Sequence, residues 1–264
     1  MLCNPHHNMV LSPVRRFDPT YGLIEFLWYM SKSDKVDMLL PYAPSYSRFA
    51  EDDDRVHGAY GHRIGFNTSV DQLSEVIKQL KQHKDTRQAV ITLWRPDDIL
   101  GVHQYKDIPC TLTWHFLVRN GMLHMHCNMR SNDAWLGYPN DVFANTMVMR
   151  YVATALGLDL GTYHHYASSM HVYENRYPEA CDIVESEYFI TESNTDWQIG
   201  HEEVRDLLRF EASCRMLGSP PEIDEANTWS DWKLLIARKW RDDIDYQYFT
   251  DQMIRKAVDL HDNR

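Results

Sequence analysis

Cys110, Arg130 and Ser131 are residue types that together can carry out covalent chemistry on a phosphorylated substrate. A cysteine thiolate is a strong nucleophile, and a neighbouring arginine lowers the pKa of the thiol. An arginine fork beside a hydroxyl group resembles a clamp for a phosphate. Both residues have ordinary alternatives. A lone cysteine is more often a small buried apolar residue, and Arg130 could instead form an ion pair with a surface acid.

Two acidic residues stand in apolar surroundings, where a carboxyl group is suited to acid–base chemistry. Glu25 interrupts the apolar run LIEFLWYM, and Asp141 immediately precedes another long apolar segment. Burial raises the pKa of a carboxyl group and prepares it to act as a general base. The alternatives are a solvent-facing Glu25 and an Asp141 that caps a helix. His171 and Tyr173 alternate on one face of a predicted strand and, taken singly, are more typical of structural side chains.

A β-hairpin in the centre of the chain would bring the cysteine and the arginine together. Two alternating runs, 111–118 and 123–130, flank an Asn-Gly dipeptide, which is typical of a two-residue hairpin turn. With that turn Cys110 faces Ser131, and Arg130 lies one position away. A bulge would shift this register without separating the three residues.

The remaining pattern predicts an α+β fold. Amphipathic, apolar and alternating segments indicate a helix at 23–30, a helix capped by Ser69, a buried strand at 87–94, a buried helix at 142–156 that stops at Gly157, and a polar-aromatic strand at 161–176. The acidic segment 222–264 is predicted to be helical, with its tryptophans on one face. We therefore expect one domain, 1–264, with a mainly antiparallel or mixed sheet packed by helices.

Bulk properties exclude several classes of protein. The formal charge of −11 argues against general nucleic-acid binding, which needs a basic surface. Five cysteines without a CxxC pair indicate free thiols in a reducing compartment and no zinc site. The chain shows no signal-peptide pattern and no long apolar run, so we expect a soluble, cytoplasmic protein without a membrane partner.

As a set, the motifs resemble the thymidylate synthase superfamily, which transfers one-carbon units to C5 of pyrimidine nucleotides. The resemblance covers about 13–177, and the helical region 222–264 follows it. The motifs that carry it are IEFLWYM, HGAYGHR (57–63), DTRQ (85–88), IPC (108–110), MRSND (129–133) and MHVY (170–173). It implies a nucleoside monophosphate as substrate, 5,10-methylenetetrahydrofolate as co-substrate and no metal.

The resemblance also assigns roles to the candidate residues. It implies that Cys110 is the nucleophile and that Glu25 and Tyr60 are catalytic. The residues implied to bind the nucleotide and the folate are Arg130 and Ser131 at the phosphate, His171 and Tyr173 at the sugar, and Asp133 and Tyr46 at the folate. Arg87 matches an arginine that reaches the phosphate of the neighbouring subunit, which implies a homodimer.

One departure from the family pattern bears on the substrate. Asp141 stands where thymidylate synthases carry the asparagine that reads uracil, and phage deoxycytidylate hydroxymethylases resemble the chain at this point. Tyr46 and Phe49 replace shielding tryptophans, the second arginine of the phosphate segment is Gln88, and the family's closing tail is not recognisable. A more open site favours water as the final reactant. We therefore expect hydroxymethylation of dCMP or CMP. The alternatives are a thymidylate synthase acting on dUMP and a catalytically silent nucleotide-binding homologue.

Overall fold

A computed structural model describes residues 2–65, 69–101, 104–186, 189, 198–224 and 229–263. The strands are β1 (Leu2–Cys3), β2 (Val90–Thr92), β3 (Thr111–Arg119), β4 (Met122–Met129), β5 (Asn132–Asp133), β6 (Asp159–Ala167) and β7 (Met170–His171). The helices are α1 (Pro19–Ser31), α2 (Tyr60–Gly65), α3 (Gln72–Gln82), α4 (Asp98–Gly101), α5 (Gly137–Leu156), α6 (Tyr177–Glu185), α7 (His201–Leu217), α8 (Ser230–Ala237) and α9 (Gln252–Asp262). Short 3₁₀ helices cover Pro44–Phe49, Glu174–Arg176 and Tyr246–Tyr248.

A five-stranded sheet forms the centre of the fold, in the order β1-β6-β4-β3-β2. Its neighbouring strands are antiparallel except for β4 and β6, which are parallel. The sheet is therefore mixed, and the predicted α+β class is confirmed. A second, two-stranded sheet pairs β5 with β7 in parallel.

The predicted hairpin consists of β3 and β4. Asn120 and Gly121 have φ angles of 53° and 77°, the left-handed conformations that a type I′ turn requires. The register shifts by one residue between Thr111 and Thr113. Cys110 therefore lies beside Arg130, whose backbone N donates to its carbonyl oxygen at 2.9 Å. The predicted facing of Cys110 with Ser131 is wrong by one residue.

Helix α5 is buried along most of its length because apolar residues occur on nearly all of its sides. It ends as predicted, with Gly157 at φ 63°. It begins at Gly137, however, five residues before the predicted start at 142. Asp141 is thus an internal residue of the helix, and the cap position belongs to Leu136. The helix-cap interpretation of Asp141 is wrong.

Helix α1 packs on α5 and carries Glu25 into the interior. Asp18 caps it by accepting hydrogen bonds from the backbone N of Thr20 and Tyr21. The rings of Phe17 and Phe143 lie 5.5 Å apart at the contact between the two helices. This packing fixes the position of Glu25 relative to Asp141.

Three further boundaries differ from the predictions. Asp71, not Ser69, caps α3 and accepts from the backbone N of Ser74. The predicted strand 87–94 is reduced to β2, whose side chains alternate between exposed and buried. The predicted strand 161–176 breaks into β6, β7 and a 3₁₀ turn. Both strand predictions followed local residue types, whereas pairing with neighbouring strands decided the strand boundaries.

A buried ion pair braces α2 against the segment before β3. Arg63 donates to both carboxylate oxygens of Asp98, at 2.6 and 2.8 Å, and the two residues are 1% and 0% exposed. Arg63 also donates to the carbonyl oxygens of His57 and Leu93. The loop at Gly58 and the start of α2 are thereby held in place. In the described part of the chain, no helix has the length and apolar character needed to span a membrane.

Candidate active site

A cleft of about 400 Å³ opens where α1, α5 and the ends of β3 and β4 meet. It brings together every predicted site residue except Arg87. Those that line it are Glu25, Tyr46, Tyr60, Cys110, Arg130, Ser131, Asp133, Asp141, His171 and Tyr173. Residues widely separated in sequence thus share one cavity, as the motif set predicts.

Arg130 holds the segment that carries Cys110. Its Nε donates to the carbonyl oxygen of Pro109 at 3.0 Å, and its Nη2 donates to that of Ile108 at 2.9 Å. The guanidinium also lies over the ring of Trp94, 5.8 Å from its centroid. The arginine is therefore a cleft residue that fixes the approach to β3, not the partner of a surface acid.

The Cys110 thiol is not activated in the way that the sequence suggested. Burial raises its pKa above the ordinary value, Arg130 opposes that rise, and the carboxyl groups of Asp141 and Asp107 add to it. Arg130 lowers the pKa of the thiol as predicted, but burial and the two carboxyl groups outweigh this effect, so the net pKa is raised. The thiol is protonated at neutral pH, so its use as a nucleophile requires that the proton leaves when substrate arrives.

Glu25 is a buried acid at the base of the cleft. It is 8% exposed, and its Oε1 accepts a hydrogen bond from the hydroxyl of Tyr21 at 2.9 Å. Burial and the neighbouring Asp141 raise the pKa of Glu25 to about 8, although the Tyr21 hydrogen bond opposes the shift. The solvent-facing alternative is wrong, and the carboxyl group is protonated at neutral pH.

Asp141 lies one helical turn inside α5 and faces the cleft. Its Oδ2 accepts a hydrogen bond from Asn132 Nδ2 at 2.6 Å. Burial raises the pKa of Asp141 to about 7, with Asp133 adding to the rise and the Asn132 hydrogen bond opposing it. A group with this pKa can both hold and release a proton at neutral pH.

The raised pKa of Glu25 predicts a pH-dependent effect on stability. The folded protein keeps Glu25 protonated up to a pKa of about 8, whereas an unfolded chain ionises it near 4.5. Between these values the folded state binds more protons, so the unfolding free energy falls as pH rises, by at most about 1.4 kcal/mol per pH unit. Glu25→Gln has no ionisable group at this position, so its unfolding free energy lacks this decrease. It should melt above wild type at about pH 9 and alongside it near pH 4.5, as measured by circular dichroism. Parallel pH dependences for both proteins would contradict the buried-acid assignment.

The short sheet formed by β5 and β7 organises the rim of the cleft. Asp133 pairs with His171 across it, and Asp133 Oδ1 accepts from the backbone N of Trp135 at 2.8 Å. The rings of His171 and Tyr173 are perpendicular, with centroids 5.1 Å apart. The rim therefore presents two side chains from one edge next to the Asp133 carboxyl group.

Aromatic side chains form the opposite wall. Tyr46 packs edge-on against Trp28 at 5.7 Å and against Phe49 at 5.1 Å between ring centroids. Tyr60 accepts a hydrogen bond from the backbone N of Thr111 at 3.1 Å, next to Cys110. Such a wall can stack on a planar ring and exclude part of the solvent.

Several residues that line the cleft were not predicted from the sequence. Trp28 could have been predicted, because it follows Glu25 by one helical turn on α1 and therefore lies on the same face of the helix. Asn132 stands inside the MRSND motif and bonds Asp141. Asp107 had no signal, yet it lines the cleft near Cys110 with a pKa raised by burial.

Arg87 is exposed and lies outside the cleft lining. Its predicted role needs a second subunit and stays a prediction. In the described segments, no group of three or more His, Cys, Asp or Glu side chains is arranged to hold a metal ion.

Comparisons with known proteins agree with the predicted superfamily. A family model described as Thymidylate synthase matches residues 7–217. A deoxyuridylate hydroxymethyltransferase of Pseudomonas phage M6 is 29% identical over 209 residues, covering 77% of this chain and 59% of the relative. Another, of Bacillus phage SP01, is 32% identical over 187 residues, covering 66% and 48%. A thymidylate synthase of Bacillus subtilis subsp. natto is 28% identical over 191 residues, covering 70% and 66%.

The fold has a close counterpart among solved structures. Thermostable thymidylate synthase A from Bacillus subtilis superposes with a TM-score of 0.63 at 26% identity, covering 74% of this chain and 71% of that chain. The predicted thymidylate synthase-like fold is therefore confirmed. The chain spans 48–66% of the length of the three relatives matched by sequence.

Proposed function

The chain belongs to the thymidylate synthase family, and we propose that it hydroxymethylates C5 of a cytosine nucleotide, dCMP or CMP, with 5,10-methylenetetrahydrofolate as one-carbon donor. One observation carries the choice of base. A carboxyl group, Asp141, faces the cleft with a pKa of about 7, where the family pattern places the amide that reads uracil.

The edge of the base explains why a carboxyl group matters there. Cytosine presents an N4–H₂ donor and an N3 acceptor, whereas uracil presents an O4 acceptor and an N3–H donor. A protonated Asp141 can accept from N4–H with one oxygen and donate to N3 with the other. An ionised Asp141 can instead pair with a ring protonated at N3. A pKa of about 7 makes both forms accessible at neutral pH.

The proposed reaction begins with covalent activation of the ring. Cys110 loses its proton, and the thiolate adds to C6, which makes C5 a carbon nucleophile. C5 forms a bond to the methylene carbon of the folate, and a base removes the C5 proton. Tetrahydrofolate leaves as its bond to that carbon breaks, giving an exocyclic methylene.

Water completes the proposed reaction. It adds to the exocyclic methylene, and the electron pair returns to the ring and expels the Cys110 thiolate. Glu25, protonated at rest with a pKa of about 8, is proposed to orient that water and exchange protons with it. Hydride transfer from the folate is the competing fate of the same intermediate and would give a methyl group.

The rest of the nucleotide would follow the cleft. Arg130 and Ser131 line it beside Cys110, and they are proposed to hold the phosphate. His171 and Tyr173 on the rim are proposed to meet the sugar hydroxyl, while Asp133 and Tyr46 would contact the folate.

A second candidate is hydroxymethylation of dUMP. It is favoured by two relatives whose names describe deoxyuridylate hydroxymethyltransferases. A protonated carboxyl group can also read uracil if its hydroxyl faces O4 and its other oxygen faces N3–H. A thymidylate synthase that methylates dUMP is the third possibility within the family.

Product analysis separates these candidates. The protein is incubated with methylenetetrahydrofolate and, in separate reactions, dCMP, CMP, dUMP or UMP, and products are identified by mass spectrometry. The proposal expects a 5-hydroxymethylcytosine nucleotide and no rise in dihydrofolate absorbance. A hydroxymethyluracil product would shift the assignment to the second candidate. Methylated uracil with dihydrofolate would make the protein a thymidylate synthase, and no product from any nucleotide would favour the silent homologue.

We propose a homodimer because Arg87 is exposed and lies outside the cleft of its own subunit. If Arg87 reaches the partner's phosphate, Arg87→Ala and Cys110→Ser should each be nearly inactive alone. Co-expressed with a different affinity tag on each variant and purified through both tags, the mixed dimers should show about half of wild-type activity, because one of their two sites is intact. Recovery in these mixed dimers supports the exchange. A fully active monomer by light scattering, or no recovery, would contradict it.

A further inference from the structure

A chain of buried side chains runs behind Asp141 and begins and ends on α5. Asn145 Nδ2 lies 3.0 Å from the Tyr163 oxygen, and that oxygen lies 2.8 Å from His165 Nδ1. His165 Nε2 lies 2.9 Å from Asn132 Oδ1, and Asn132 Nδ2 lies 2.6 Å from Asp141 Oδ2. The four residues behind Asp141 are each at most 3% exposed.

The donors in this chain all point towards Asp141. The Asn132 amide gives its N–H to the Asp141 carboxyl, so its oxygen must accept from His165 Nε2. Burial lowers the pKa of His165 to about 4, so the ring is neutral and Nδ1 accepts from the Tyr163 hydroxyl. Asn145 in turn donates to the oxygen of Tyr163.

Surrounding packing holds the chain in this arrangement. The Tyr138 ring stands perpendicular to His165, with centroids 5.1 Å apart. A Cβ at Gly137 would stand 3.0 Å from Asn132 Nδ2 and 3.4 Å from Asp141 Oδ2, so the first residue of α5 leaves room for the Asn132–Asp141 pair. Exchanging the oxygen and nitrogen of Asn132 would require the other tautomer of His165 and a proton on Asp141 Oδ2.

We propose that Asn132, His165 and Tyr163 are positioning residues that give the two oxygens of Asp141 different roles and thereby set its base preference. A free carboxyl group is symmetrical, and by moving its proton it could read either pyrimidine. Asn132 makes Oδ2 a fixed acceptor, because a proton there would weaken its hydrogen bond to the amide. The proton of Asp141 is then carried by Oδ1, and the carboxyl group reads a donor–acceptor pattern in one direction only.

This inference rests on the proposed function only for which base is preferred. The relay fixes the direction of reading, and the placement of the nucleotide decides whether that direction suits cytosine or uracil. Its test therefore measures a change in preference and not the preference itself.

Direct binding of nucleotides tests the relay without requiring turnover. Dissociation constants for dCMP and dUMP are measured by calorimetry for wild type and His165→Phe, which keeps a ring but loses both nitrogens. The ratio of the two constants should move towards unity by roughly three- to tenfold, as expected for the loss of one directed hydrogen bond. Tyr163→Phe, which removes only the hydroxyl group, should move it in the same direction by less.

Two further variants separate positioning from damage to the fold. His165→Gln can still donate to Asn132 and accept from Tyr163, so it should restore most of the wild-type ratio. His164→Phe changes the neighbouring histidine on β6, which lies outside the relay and outside the cleft lining, and should leave the ratio unchanged. Circular dichroism shows which variants are folded. If His165→Phe is unfolded, the ratio measured for Tyr163→Phe tests the relay instead.

Each outcome bears on the relay. An unchanged ratio in folded His165→Phe or, if that variant is unfolded, in Tyr163→Phe would overturn the relay, as would an equal shift in His164→Phe. A wild-type preference for dUMP would overturn the proposed base while leaving the relay supported if the ratio still moves. A protein that binds neither these two deoxynucleotides nor CMP and UMP would overturn both.

Discussion

Cys110→Ser is expected to lose nearly all turnover while it keeps its affinity for the nucleotide. The serine hydroxyl has a far higher pKa than the thiol, and burial and the nearby carboxyl groups already disfavour an anion at this position. Arg130 alone cannot offset them. The expected fall in kcat is at least about a thousandfold, typical of removing a covalent nucleophile, with a dissociation constant close to that of wild type.

Release of tritium from C5 of the nucleotide gives a second measurement of the same step. Exchange at C5 needs only the addition of Cys110 to C6. Wild type should therefore release tritium without folate, and Cys110→Ser should not. The matched control is Cys181→Ser, since Cys181 is an exposed free thiol outside the cleft lining. Wild-type exchange in Cys110→Ser would exclude covalent catalysis by this residue.

Local sequence signals predicted the hairpin well because its turn is set by two adjacent residues. Asn120 and Gly121 adopt the conformations that their types favour, and the strands follow from alternation. The one-residue shift near Thr111 had no such signal. A bulge depends on how the strand end meets its neighbours, so Cys110 came to face Arg130 rather than Ser131.

The start of α5 shows the opposite case. Residues 137–141 contain glycine, proline and asparagine, which are typical of a loop. They nevertheless form the first one and a half helical turns of α5. Proline is tolerated there because the first helical N–H groups need no partner within the helix. The result is that Asp141 enters the cleft instead of capping the helix.

The electrostatics of the cleft depend on tertiary burial, which the sequence shows only in part. Glu25 was predicted to be a buried acid from its apolar neighbours on one helix, and its raised pKa agrees. The predicted effect of Arg130 on Cys110 has the right sign, but burial and two acids outweigh it. His165 and Tyr163 belong to no recognised motif, and only the packing of β6 behind α5 connects them to Asp141.

Asp141→Asn is expected to shift the preference of the protein from cytosine towards uracil nucleotides. The amide offers a fixed donor and a fixed acceptor, and it cannot exchange a proton as a carboxyl group with a pKa of about 7 can. With cytosine bound, one buried polar group of the substrate edge would lack a partner, at a cost of about 1–3 kcal/mol. The ratio of kcat/KM for dCMP to that for dUMP should therefore fall by roughly ten- to a hundredfold.

Asp141→Glu is the matched variant for this measurement, because it keeps the carboxyl group and moves it by one methylene. It should lower kcat/KM for both nucleotides without reversing their order, whereas Asp141→Asn reverses or nearly reverses it. Since Asp141 does not cap α5, the asparagine variant should show its main effect in selectivity and not in melting temperature. Repeating the pair with CMP covers a ribose substrate. If Asp141→Asn left the ratio of kcat/KM unchanged, the carboxyl group would not read the base, and the uracil-specific candidates would take precedence.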